Sequence, residues 1–204
     1  MFYCSNDPRV SVVELRPHAG SHIVLSCWET TKELTLNRVG YTNQTFTALS
    51  SDRKCPEWGP AVPPGAGPAS SLINEFLARE FTLDVAEDQD YLYKISIAIT
   101  ETLIGQKVVR TDGTSYMFDG LLYPTVAMQA NADNLALTPE CADRHLRFVW
   151  AQHALIQKLV TSTAYPGYEA AVLDFSTSLS PTGVLNWQGR PPQRPTEAWL
   201  LDAW

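Results

Sequence analysis

Glu14 sits inside an otherwise apolar run, Val12-Val13-Glu14-Leu15. A carboxylate so placed is not an ordinary solvated side chain, because acids among apolar neighbours are usually paired or put to use. An ion pair to Arg9 or Arg16 is its plain structural role. The second candidate is Asp119–Leu137, DGLLYPTVAMQANADNLAL. Asp119-Gly120 signals a turn, and Leu121-Leu122-Tyr123 is a short apolar run that Pro124 must end, since proline cannot donate to a sheet ladder. Thr125, Gln129, Asn131, Asp133 and Asn134 follow before Leu135-Ala136-Leu137 resumes the apolar pattern. A strand, a hydroxyl at its end and a carboxamide-rich return describe the rim of a polar pocket; a hydrogen-bonded bend is the plainer alternative.

Other reactive types carry less. His18 and His22 flank Pro17-His18-Ala19-Gly20 with no third ligand at metal-site spacing, which predicts turn histidines bonded to backbone. Cys4, Cys27, Cys55 and Cys141 form no C-x-x-C, and free thiols are expected. The chain contains no G-x-S-x-G, no phosphate-binding glycine loop, no H-E-x-x-H and no dinucleotide fingerprint. The residues alone therefore reach an α+β domain with a polar pocket built from Thr125–Asn134 and Glu14.

The elements that must position these groups follow from local signals. Phe2-Tyr3-Cys4 reads as a strand end, and Ser5-Asn6-Asp7-Pro8 as the start of a helix with Val10, Val13 and Leu15 on its apolar face. Ile23–Trp28 and Leu34-Thr35-Leu36 read as strands. Residues 50–71, rich in proline and glycine, are a long loop, after which Ser70-Ser71 should cap a helix over Leu72–Phe81 with Leu72, Phe76 and Leu77 on one face. Asp88–Gly105 is the most periodic helix, with Tyr91, Leu92, Ile95, Ile99, Leu103 and Ile104 as core and Glu101 in solvent. Pro139–Asp143 reads as a short helix, 145–159 is open between helix and strand, and Ala170–Phe175 is a further strand. Gln188–Pro195 is linker-like, and Trp199 and Trp204 either dock back or stay exposed. The expected organisation is one domain over 1–176, with an insertion at about 50–70 and a C-terminal extension over 177–204.

Composition narrows the partners. A formal charge of −7 and a pI near 5.0 argue against a phosphate-backbone binder, so nucleic acid is not expected. No apolar run reaches the length of a membrane span, and MFYCSNDPRV has no basic segment followed by an apolar one. A cytoplasmic chain is expected.

Two segments together resemble the RES domain family, named for an arginine, a glutamate and a serine. Tyr3–Gly20, with S-N-D-P and then V-V-E-L-R-P-H-A-G, looks like the segment that carries the family's glutamate. Asp119–Thr125 and Asn134–Leu137 look like the serine segment and the strand after it. The resemblance covers roughly 2–40 and 85–160. It implies a mixed, strongly twisted sheet with flanking helices, similar to ADP-ribosyltransferase toxins, in a bacterial protein.

The activity implied is cleavage of the nicotinamide–ribose bond of NAD by hydrolysis or phosphorolysis, without a bound cofactor or metal. Glu14 would be the glutamate and Tyr3 the pocket tyrosine, while Thr125 would occupy the serine position, keeping the hydroxyl and adding a methyl. Arg16, Tyr123 and Asn134 are the remaining expected contacts to the dinucleotide. Many small members look like toxins held by an antitoxin with a helix-turn-helix, so an antitoxin-like protein is an expected partner, and oligomerisation is left open. The family's arginine lies upstream of the tyrosine, in a glycine-arginine-aromatic-asparagine segment that this sequence does not contain, so a cation for the pyrophosphate would come from Arg9, Arg16 or another chain. Bond cleavage builds oxocarbenium character on the ribose, which a carboxylate stabilises, while an aromatic ring stacks on nicotinamide. The competing expectation is an inactive RES-like domain that serves as a binding or interaction module.

Overall fold

The computed structural model describes residues 1–57, 68–83, 89, 93–104, 107–109, 112–160 and 167–190. The elements are β1 (Phe2–Ser5), α1 (Pro8–Leu15), β2 (His22–Thr30), β3 (Leu36–Arg38), α2 (Asn43–Ala48), α3 (Pro68–Phe81) and α4 (Tyr93–Ile104). They continue with β4 (Lys107–Val109), β5 (Ser115–Met117), β6 (Gly120–Pro124), β7 (Asp133–Leu137), α5 (Pro139–His145), β8 (Leu146–Val160) and β9 (Gly167–Ser176). Helices with both parallel and antiparallel strand pairings make this a mixed α+β chain. It divides into two compact units, one formed by Met1–Asn6 and Leu34–Ala142, the other by Asp7–Glu33 and Asp143–Trp204.

In the first unit the sheet order is β1-β7-β6-β3, antiparallel except for the parallel β3–β6 pair. One face packs under Leu77 and Phe81 of α3 and Leu103 and Ile104 of α4, around Val39, Leu121 and Ala136. A second cluster joins Tyr41, Phe46 and Ala130 with Leu49, Cys55 and Leu122. Thr42 caps α2 by accepting the Thr45 N–H at 3.0 Å. β4 and β5 form a separate antiparallel pair.

Gly120 is required where β6 meets β7. A Cβ there would lie 2.4 Å from the Ala136 carbonyl oxygen and 2.9 Å from Leu137 Cδ2, so backbone would have to move. Gly120→Ala is expected to cost about 1–3 kcal/mol, the usual penalty for overpacking, read as a lower urea midpoint at unchanged slope. A loss below about 0.5 kcal/mol would show that the strands can separate freely there.

The second unit is an antiparallel sheet of order β2-β8-β9 with α1. Asp7 caps α1, its carboxylate accepting the Arg9 N–H at 2.9 Å, with Pro8 at the first helical position. α1 ends at Arg16 in the left-handed region, φ 45°, where its N–H still reaches the Val13 carbonyl at 3.1 Å.

Several expectations are corrected. The buried face of α1 is Val10, Val12 and Val13, while Leu15 is exposed. The strand read at Leu34–Leu36 starts only at Leu36; Thr35 before it is held by Asp119, whose carboxylate accepts its N–H at 2.8 Å and whose N–H donates to its carbonyl at 2.8 Å. Ser70-Ser71 lies inside α3, and the helix turns Leu77, Ala78 and Phe81 inward while Leu72 and Phe76 face out. In α4 the inward residues are Thr100, Leu103 and Ile104, whereas Ile95 is exposed, as is Glu101. The ambiguous 145–159 stretch is the 15-residue strand β8. It is the central strand between β2 and β9, and the extra residues Val149, against β2, and Gln157, against β9, shift its alternation and break the period-two signal. The readings at Asp88–Leu92, Gly105, most of the proline-rich loop, Trp199 and Trp204 lie outside the described residues.

Candidate functional site

Strand register decides which candidate residues meet. Tyr3 lies opposite Ala136, which lies opposite Leu121; one step on, Ser5, Asn134 and Tyr123 form the next row. Opposed residues share a face, and so do residues two apart. Tyr3, Tyr123 and Asn134 therefore stand on one face of the first unit's sheet, drawn from three strands. They differ in access: Tyr3, on the edge strand, is 62% exposed, Tyr123 is half-buried with its ring 5.7 Å from that of Phe81, and Asn134 is buried.

Thr125 forms the neck of the bend that joins β6 to β7. Its N–H donates to the Ala132 carbonyl at 3.1 Å, and its own carbonyl accepts the Ala130 N–H at 2.7 Å. The residue is completely buried, so its hydroxyl is at no surface in this conformation. Beyond it Gln129 and Ala130 are both left-handed, φ 51° and 58°, an unusual state for two successive non-glycine residues. Such strain persists only where the surroundings over-determine it, and it is common at functional sites.

Asp133 and Asn131 are corrected from pocket rim to clamp. Arg53 Nη1 and Nη2 donate to the two Asp133 carboxylate oxygens at 2.8 and 2.6 Å, and the Tyr41 hydroxyl donates to Oδ1 at 2.7 Å. Asn6 accepts the Asp133 N–H at 3.0 Å and donates from Nδ2 to Oδ2 at 3.3 Å. Asn131 Oδ1 accepts the Arg53 N–H at 3.0 Å and the Ser51 hydroxyl at 3.3 Å. The Arg53 guanidinium lies 5.3 Å from the centre of the Phe46 ring, and its Nε is buried without a hydrogen-bond partner. With its charge met by Asp133, Arg53 leaves no net positive charge for an anion. Burial opposes ionisation of Asp133 most strongly, yet the hydrogen bonds from Arg53, Tyr41 and Asn6, with the guanidinium charge, together hold its carboxyl below the ordinary range. Burial first, then the bond to Asp133, pushes the Tyr41 hydroxyl up.

Glu14 and Arg16 belong to the second unit, Thr125 and the three face residues to the first. Glu14 is exposed on the last turn of α1, against the expectation that its apolar neighbours would enclose it. Arg16 is exposed, and its charge works against the burial that raises the Tyr168 hydroxyl. Arg9 is engaged by Asp7, through contacts of 3.0 Å from Nε and 2.5 Å from Nη2. Among the described residues no group of three or more His, Cys, Asp and Glu side chains could hold a metal.

A groove of about 430 Å³ runs between α2 and α3, with Gln44, Thr45, Glu75, Phe76 and Arg79 among its lining residues, and none of the site candidates Tyr3, Glu14, Arg16, Tyr123, Thr125 and Asn134 lines it. The cysteines are free thiols. Burial pushes the Cys4 thiol up to about 11, which favours its neutral form. Sequence reasoning missed Tyr41, Arg53 and Asn6, whose partner Asp133 lies about 80 to 130 positions away with no spacing to announce it. Comparisons of the chain with protein-family models, with curated proteins and with solved structures return no significant match.

Proposed function

We propose that the chain is a RES-like domain of ADP-ribosyltransferase-like fold that takes NAD as its ligand and cleaves the nicotinamide–ribose bond. The observation that carries the reading is the placement of Tyr3, Tyr123 and Asn134 on one sheet face beside a strained bend; α3 and α4 cover the inner part of that face, and Tyr3 stays exposed at its edge. An exposed tyrosine on an edge strand offers a ring for stacking. In cleavage, the bond from ribose C1′ to the nicotinamide nitrogen breaks with its electron pair passing to the ring. Oxygen from water, which releases a proton to solvent, or from phosphate then bonds to C1′. Glu14 supplies the carboxylate that stabilises the oxocarbenium character, and Arg16 supplies positive charge.

Incubation of the full chain with NAD, with and without inorganic phosphate, should release nicotinamide in step with NAD loss. The co-product separates hydrolysis from phosphorolysis. No nicotinamide above a buffer control, from protein shown to be folded, would end the enzymatic reading. A binding module is the second reading, favoured by the burial of Thr125 and by the neutralisation of Arg9 and Arg53. Calorimetric NAD binding without nicotinamide release would establish it, and Tyr3→Ala should then abolish the heat.

A further inference from the structure

We infer that His22 and His153 form a two-imidazole site for a divalent transition metal of the Ni2+ or Cu2+ kind. Sequence spacing offers His22 only His18, with no third ligand, because its partner His153 lies 131 positions away. His22 opens β2 and is not a turn residue, correcting the expectation from Pro17–Gly20. β2 pairs antiparallel with β8, with Val24 opposite His153 and His22 opposite Leu155, so the two histidines are diagonal neighbours on one face. His22 Nδ1 and His153 Nε2 approach to 2.9 Å, with ring centroids 5.0 Å apart.

That separation suits a metal as well as a hydrogen bond. Metal–nitrogen bonds are about 2.0–2.1 Å long, so nitrogens in adjacent positions at a right angle lie about 3 Å apart, the arrangement preferred by tetragonal Cu2+ and Ni2+. Without metal, one ring N–H donates to the other ring's lone pair. With metal, both facing nitrogens present lone pairs, and each ring keeps its proton on its far nitrogen, so no redox step is involved. His22 is exposed and His153 half-buried, which leaves the remaining coordination positions to water. Asp174, opposite His153 on β9, is no third ligand: its oxygens accept the N–H groups of Phe175, Gly189 and Arg190 at 2.8, 3.1 and 3.3 Å. Trp187 packs on His153 at a centroid distance of 6.1 Å and acts as a built-in reporter.

The test is titration of the full chain with Ni2+, followed by calorimetry and tryptophan fluorescence; Ni2+ is chosen because Cu2+ would oxidise the free thiols. One ion should bind per chain with partial quenching. His22→Gln and His153→Gln should each weaken binding by about tenfold or more, since a single imidazole cannot chelate. Trp187→Phe should keep the affinity and lose most of the quench, and His18→Gln should bind like the parent chain. No saturable binding by the parent, or equal affinity in the folded His22 and His153 variants, overturns the site. If one variant fails to fold, the other and the His18 control still decide the outcome.

Discussion

Asp133→Ala is expected to remove about 3 kcal/mol of folding stability, the low end of the cost of breaking a buried ion pair from one side. The low end applies because the Arg53 side chain keeps 31% of its surface in solvent, against 13% for Asp133. The substitution removes the Asp133 acceptor of the Tyr41 hydroxyl, on a residue 3% exposed, and leaves Arg53 with a buried Nε that already lacks a partner. It also leaves the Asn6 carboxamide without its Oδ2 acceptor, so β1 loses a side-chain tie to β7. Asp133→Asn, which keeps the shape and loses the charge, should cost less. Urea unfolding at neutral pH reads both, and a loss below about 1 kcal/mol for the alanine variant would show that Arg53 finds other partners or water.

The same residue sets an acid limb. Its folded-state carboxyl ionises below the ordinary range, so its contribution is fully present above the unfolded value near pH 4. It is lost as the pH falls through the lower folded-state value. Asp7 adds to the same limb, held low mainly by its hydrogen bond from Arg9. Stability measured from pH 6 downward should therefore fall steeply below about pH 4 in the parent chain and less steeply in Asp133→Asn. Parallel curves would mean that Asp133 is not the group that titrates.

What local chemistry dictates was readable in the residues. The cap Asp7 with Pro8, the strand ended by Pro124 and the apolar run Leu135–Leu137 all appear where their types demand. What pairing dictates was not. β8 hides its period because bulges at Val149 and Gln157 shift its alternation, and α3 carries two apolar stripes of which only that with Leu77 and Phe81 meets the sheet. The polar bend shows the limit most clearly. Its hydroxyl and carboxamides suit either a ligand-facing rim or a hydrogen-bonded bend; Asn131 and Asp133 hold the 41–53 segment, and Thr125 is sealed in the neck. Polar residues between two strands announce that something is bound there, and only the fold decides whether it is a ligand or the chain itself.

Glu14→Gln carries the second large effect, and it separates chemistry from folding because the side chain is exposed. A surface substitution of this kind should change stability by no more than about 0.5 kcal/mol. If the RES-like reading holds, nicotinamide release should nevertheless fall by about 100-fold or more, because the neutral amide cannot stabilise positive charge on the ribose. Thr125 gives the contrasting case: it is completely buried, so Thr125→Val tests a hydroxyl that reaches substrate only if the bend opens. On that reading Thr125→Ser places the serine of RES domains at this position and should retain turnover, while Thr125→Val should not. Equal nicotinamide release from the parent chain and Glu14→Gln would make Glu14 a solvated helix residue. Loss in Glu14→Gln with full activity in Thr125→Val would instead confine the chemistry to the carboxylate and leave the bend as a structural clamp, the role that the bonds from Arg53 and Tyr41 to Asp133 already give its far side.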